Sequence, residues 1–165
     1  MDTKDLLQIA RETIGKVTYC FAVTVAAGRE EASARIIQPS ALREDWSVGF
    51  MTNRRCRKVA EMEASGRLTL GYQHDPEAAY VTLSGRPEII DDVDAKRAVW
   101  RDESYRWHPG GPEDPDVVLV ELITDRIELW NLKRGVTPAP EGLNSAVLRR
   151  EGDGWVYGET SPPAA

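Results

Sequence analysis

The sequence predicts a mainly β protein: a β-barrel of six or seven antiparallel strands with flanking short helices. Two observations carry that expectation. Short apolar or alternating runs recur along the chain, divided by turn signals such as Ala27-Gly28-Arg29-Glu30 and His74-Asp75-Pro76-Glu77. Segments with helical spacing are few and short, and no repeat of about 20 to 50 residues is present.

The elements follow in order. Residues 3–15 read as a helix, with Leu6, Leu7, Ala10 and Ile14 on one face, Asp2 or Thr3 as N-cap and Gly15 as the stop. In residues 17–26, Val17, Tyr19, Phe21, Val23 and Val25 alternate with Thr18, Cys20, Ala22 and Thr24, so this strand is expected to be covered on both sides. After the turn at 27–30, residues 32–38 return as the second arm of a hairpin, and Pro39 ends it. A third strand, 46–52, leads into a short helix that begins near Cys56 and closes at Gly66. Residues 67–73 form strand four. Residues 79–90 form a long strand in which Gly85 and Pro87 imply a bulge or an edge. A second helix spans 91–103 on Val93, Val99 and Trp100. The segment 105–116 is a Pro- and Gly-rich loop carrying Tyr105 and Trp107, which suits a binding element better than a spacer. Two strands, 117–124 and 126–132, close the barrel set. The barrel domain thus occupies residues 1–135. A C-terminal extension, 136–165, holds one short hairpin built on Ala146–Leu148 and Trp155–Tyr157, then a tail that frays from 161.

Composition narrows the function. Hydrophobic residues at 41% and charged residues at 29% are ordinary for a soluble domain, and 165 residues can bury a full core. A net charge of −6 argues against a nucleic-acid binder. No apolar run reaches the ~20 residues of a membrane span, and Met1 to Asp5 lacks a signal peptide's apolar core, so a cytoplasmic location is expected. Cys20 and Cys56 lie too far apart for a metal pair. Cys20 reads as buried packing, and Cys56, despite its place at a helix start, as a small residue without a partner.

The segment from Gly49 to Glu63 concentrates chemistry. Arg54, Arg55, Arg57 and Lys58 place four cations within five residues, directly after Thr52 and Asn53 and at the start of a helix. A helix start offers unpaired N–H groups and a positive dipole end, so a phosphate is the natural ligand. His74 and His108 have no metal-ligand spacing, and no nucleophile elbow, Walker loop or G-x-G-x-x-G run is present. With no evident catalytic residue and no metal set, a phosphate site in a barrel points to a bound cofactor that carries the reaction.

The pieces Arg35-Ile36-Ile37-Gln38-Pro39, Phe50-Met51-Thr52-Asn53 and Cys56-Arg57-Lys58 resemble the FMN-binding split-barrel superfamily of pyridoxamine phosphate oxidases. The run from Val81 to Arg86, the loop from Trp107 to Pro115 and Glu128-Leu129-Trp130-Asn131 resemble its general stress protein branch. The resemblance spans roughly residues 5–135. It implies that Arg35, Ile36, Ile37 and Gln38 lie along the flavin, with Arg35 stabilising charge on its ring. Met51, Thr52 and Asn53 would meet the ribityl–phosphate region, with Arg57 and Lys58 clamping the phosphate. It further implies a homodimer with flavin sites at the interface, to which Tyr80, Trp107 or Trp130 of a partner contribute. The activity implied is FMN-dependent oxidation or reduction of a small molecule that the sequence does not name.

Two departures bear on that. Cys56 stands where the family often has Ser, and no Arg-x-His follows Trp130, which argues against genuine pyridoxamine phosphate oxidase activity. The alternatives are a non-catalytic flavin-buffering stress protein, FAD in place of FMN, or a deazaflavin coenzyme whose acidic tail would need Arg54 and Arg55.

Overall fold

The computed structural model describes residues 1–26, 28, 31–137 and 144–158. Most of the turn at 27–30 and the tail from 159 lie outside the described residues. The element order is α1 (Thr3–Ile14), β1 (Cys20–Val25), β2 (Ala32–Ile37), β3 (Val48–Asn53), α2 (Arg57–Ser65), β4 (Leu68–His74), β5 (Ala79–Ile90), α3 (Val93–Val99), β6 (Val117–Asn131), β7 (Ala146–Glu151) and β8 (Gly154–Gly158).

All strand pairs are antiparallel, in the order β2-β1-β4-β5-β6-β7-β8, with β3 attached to β6. The sheet branches at β6. Val117 to Leu122 pair with β3, whereas Arg126 to Leu129 pair with β7 on the same edge. The sheet does not close, so the expected removal of open edges is corrected: β2, β3 and β8 each remain with one free edge among the described residues.

The two expected strands at 117–124 and 126–132 are one. Asp125 does not break it. The register passes from Ser84 opposite Arg126 to Gly85 opposite Thr124, leaving Asp125 as the extra residue of a β-bulge. Gly85 is required there, because a Cβ would sit 2.0 Å from the Ile123 carbonyl oxygen. Pro87 lies beyond the last β4 pairing, where among the described residues β5 pairs with β6 alone, an edge position that tolerates proline.

Helix α1 starts in a capping box, with the Asp2 side chain accepting from the Asp5 N–H and Asp5 reciprocating. It buries Leu6, Ile9, Ala10 and Ile14 against the sheet, in a core shared with Val48, Phe50, Leu70, Leu83, Val120 and Leu122. The Lys16 and Val17 N–H groups still donate to helix carbonyls, which delays β1 to Cys20. Helix α3 is shorter than the pattern 91–103 implies. Trp100 leaves it in an extended conformation, and its ring meets Tyr105 edge-on at 5.2 Å before a 3-10 turn over Asp102–Arg106.

The cover on β1 is the reverse of its hydrophobicity. Cys20, Ala22 and Thr24 are buried, while Tyr19, Phe21 and Val25 are exposed, as is Ile36 opposite Phe21 on β2. Small residues face the core here because α2 packs close against β1. Within the single chain this strand is therefore covered on one side only.

Candidate functional site

Strand β3 delivers Thr52 and Asn53 to a tight turn. The Asn53 side-chain oxygen accepts from the Arg55 N–H at 2.8 Å, and its carbonyl accepts from the Cys56 N–H at 3.1 Å. Helix α2 then begins with Cys56 as N-cap, with no side-chain cap and no acidic residue in its first turn. The bare positive end expected from the sequence is thus present.

Cys56 is not without partners. Its Sγ lies 3.5 Å from the Thr52 hydroxyl. Burial pushes the thiol's pKa up, but Thr52, the Val59 backbone and the Lys58 charge outweigh it and hold it below the ordinary value. Cys20, by contrast, is driven by burial to about 12, so that thiol stays protonated and serves as packing.

The four cations separate by partner. Arg54 pairs with Asp91 at 2.6 Å, Arg55 with Asp116 at 3.0 Å, and Arg57 with Glu61 at 3.0 Å. Lys58 has no carboxylate partner among the described residues, and it lines the adjoining cleft. That cleft, of about 400 Å³, has β3 from Gly49 to Thr52 as its floor and the end of β2 as one wall. The 3-10 turn and the aromatic loop form the other wall through Arg101, Ser104, Trp107 and His108.

Of the sequence-derived site residues, the fold brings Ile36, Ile37, Gln38, Met51, Thr52, Lys58 and Trp107 together around this cleft. Arg35, Asn53 and Arg57 do not line it. Arg35 donates to Glu61 Oε2 at 2.7 Å and to the Thr24 hydroxyl, and Arg57 also reaches Ser33 at 3.1 Å. Tyr80 and Trp130 form a stacked cross-strand pair, 6.4 Å between ring centroids, that does not line the cleft either.

Sequence reasoning missed Tyr19, Ser40, Arg101, Ser104 and His108 as lining residues. The unusual aromatic loop was a signal for His108, but Tyr19 and Ser40 become neighbours only through the strand order. Burial first, and then the Lys58 charge, lower the His108 pKa; Asp114 and a hydrogen bond with the Met51 backbone oppose them. The imidazole is therefore neutral near neutral pH. Among the described residues, no acidic side chain lines the cleft. Its hydroxyl, ammonium and apolar walls fit a molecule that has a phosphate at one end and a flat apolar body.

The family model for proteins described as "Pyridoxamine 5'-phosphate oxidase like" matches residues 5–151. General stress protein 26 of Bacillus subtilis (strain 168) is 28% identical over 83 residues, which cover 48% of this chain and 59% of that protein's length. The general stress protein 26 structure from Bacillus anthracis superposes with a TM-score of 0.64 at 21% identity, covering 75% of this chain and 92% of that one. A pyridoxamine 5'-phosphate oxidase-related, FMN binding protein from Nostoc punctiforme superposes with a TM-score of 0.72 at 16% identity, covering 96% of each chain. Since the matched residues take in both the sheet and the site-bearing turn, the chain belongs to the pyridoxamine 5'-phosphate oxidase-like family.

Proposed function

We propose that the chain is an FMN-binding flavoprotein of the general stress type, acting as an oxidoreductase on a small molecule. The carrying observation is the division of charge at the turn: three cations are neutralised within the fold, while Lys58 lines with Thr52 a cleft that has no carboxylate among the described residues. The similarity to a Nostoc punctiforme protein described as FMN binding supports the choice of flavin.

In this reading Thr52 and Lys58 hold the phosphate, the first by its hydroxyl and the second by its charge. Ile36, Ile37, Phe50 and Met51 exclude water from the cleft, which Trp107 also lines. A bound flavin supplies hydride-transfer chemistry at its ring. The neutral imidazole of His108 is available at the cleft wall as a hydrogen-bonding group. The pairing of Arg54 with Asp91 and of Arg55 with Asp116 works against the deazaflavin alternative, which needs both free for an acidic tail.

The functional unit we propose is a homodimer in the cytoplasm. Tyr19, Phe21, Val25 and Ile36 form an uncovered apolar sheet face, and Tyr19 and Ile36 belong also to the cleft, so a second copy seated there would complete the site. Titration of the flavin-free protein with FMN, FAD and a deazaflavin coenzyme, followed by absorbance and fluorescence, tests the cofactor. FMN is expected to bind at least tenfold tighter than the other two; preference for the deazaflavin would overturn the assignment. Re-oxidation of the reduced holoprotein separates an enzyme from a flavin buffer: acceleration by a candidate acceptor is expected of the enzyme alone.

A further inference from the structure

The cleft carries cations at two separate places, and one phosphate can occupy only one of them. Lys58 stands near the Thr52 end, two residues after Cys56, whose Sγ lies 3.5 Å from the Thr52 hydroxyl. Arg101 is attached to the opposite end. Its Nη2 donates to the Pro39 carbonyl at 3.3 Å, and the next residue, Ser40, donates its N–H to the Gly49 carbonyl at 2.7 Å. The Ser40 hydroxyl in turn accepts the Gly49 N–H at 3.0 Å. Gly49 and Thr52 are three steps apart on an extended strand, about 10 Å.

Arg101 differs from the arginines that the fold neutralises around the turn. It has no carboxylate partner among the described residues, although Asp102 and Glu103 follow it directly in sequence. One N–H is engaged by a carbonyl, which orients the guanidinium and leaves donors for an oxyanion. Ser104 is held close by, its hydroxyl accepting the Arg101 N–H at 3.4 Å. The lining also offers apolar and aromatic faces, among them Tyr19, Ile36 and Trp107.

We propose that the Arg101–Ser104 end is a second anion site, built for the carboxylate of a small organic acid with a flat or apolar body. This rests on the assignment of the Thr52–Lys58 end to the cofactor phosphate. The ligand class follows from the lining: a cationic fork and hydroxyls at one end, apolar faces beside them, and no acidic side chain among the described residues that line the cleft.

Ligand-observed NMR titrations with benzoate and its neutral isostere benzamide, on FMN-loaded and on flavin-free protein, test the site. Benzoate is expected to bind at least tenfold tighter than benzamide to both forms. Arg101→Gln should abolish that preference, Arg101→Lys should keep part of it, and FMN affinity should change less than twofold in either variant. Equal binding of the two probes would overturn the proposal, as would a preference that survives Arg101→Gln. So would a tenfold loss of FMN affinity in Arg101→Gln with riboflavin unaffected, because Arg101 would then be holding the cofactor phosphate. If the wild-type chain refuses FMN yet still selects benzoate through Arg101, the cofactor reading fails and the organic-acid site stands.

Discussion

Glu61 governs how charge is apportioned around the turn. One carboxylate oxygen takes Arg57 at 3.0 Å, while the other accepts from Thr24 at 2.5 Å and from Arg35 at 2.7 Å. The Thr24 hydrogen bond, then Arg35, then Arg57 hold its pKa below the usual 4.5. A carboxylate with a depressed folded value stabilises the fold above its unfolded pKa and loses that contribution as pH falls through the folded one. Glu61→Gln is therefore expected to lower the thermal midpoint near neutral pH, and the gap to wild type should close on acidification. A gap independent of pH in thermal melts would contradict the ionic account. Glu77, held near 2 by Lys16 and Asn131, follows the same sign, its contribution fading between the unfolded value and about 2. At this scale the sequence was informative about residue types and poor about partners. The turn and its cations were legible from Thr52 to Lys58, but Glu61 sits four residues after Arg57 and looks like any solvated helix carboxylate. Packing of α2 against β1 brings Arg35 to it, the i,i+4 step within α2 brings Arg57, and both arginines are drawn away from the cleft.

Two elements set the shape of the site. The bulge at Asp125 lets β6 continue past Ser84 and Gly85, so that one strand carries both β3 and β7. Gly85→Ala would drive a methyl into the Ile123 carbonyl and is expected to cost about 3 kcal/mol or more in chemical denaturation. A cost below about 1 kcal/mol would mean that the strand relaxes easily and that the bulge is not fixed by this contact. The second element is the loop that brings Trp107 and His108 to the cleft. Lys96, fully buried on α3, donates to the Val117 carbonyl at 3.0 Å and the Asp114 carbonyl at 3.4 Å, while Asp91 lies 3.5 Å away. Asp91 also holds Arg54, and the Asp116 carbonyl accepts the Arg54 N–H at 2.7 Å, so the cationic turn and the loop end are tied together. Lys96→Met removes the lysine's donor from the Val117 carbonyl, at about 1–3 kcal/mol, while the Asp114 carbonyl keeps the Val117 N–H at 3.1 Å. Hydrogen exchange should speed up across 105–116 and in the turn at 53–56, and faster exchange elsewhere alone would refute the tie. The loop's aromatics marked it in the sequence, and the fold sets Trp107 against the cleft. The loop's anchor was not legible, because a lysine in a helix pattern reads as surface, and the helix itself stops early at Trp100.

For the whole molecule, most strand and helix positions followed from periodicity and turn residues, whereas the strand order and closure did not. Closure depends on β6 having two partners along one edge, a non-local fact. The uncovered face of β1 and β2 is likewise invisible to a pattern that counts only apolar positions. Phe21 and Ile36 are 44% and 66% exposed and directly opposed. A charge placed at Ile36 (Ile36→Glu) is expected to convert a dimer to monomers in analytical ultracentrifugation without lowering the monomer's thermal midpoint by more than a few degrees. A wild-type monomer at micromolar concentration would remove the proposed assembly.

The central claim is that Lys58, the one cation of the turn facing the cleft, binds a flavin phosphate. The direct measurement is the affinity of wild-type and Lys58→Ala protein for FMN and for riboflavin, which differ only in that phosphate. The sequence alone assigned equal weight to Arg57 and Lys58; with Arg57 engaged by Glu61, Arg57→Ala should have the smaller effect. For Lys58→Ala the expected result is a loss of about 1.5–3 kcal/mol for FMN and none for riboflavin. Equal losses for both ligands, or no loss for either, would contradict the account.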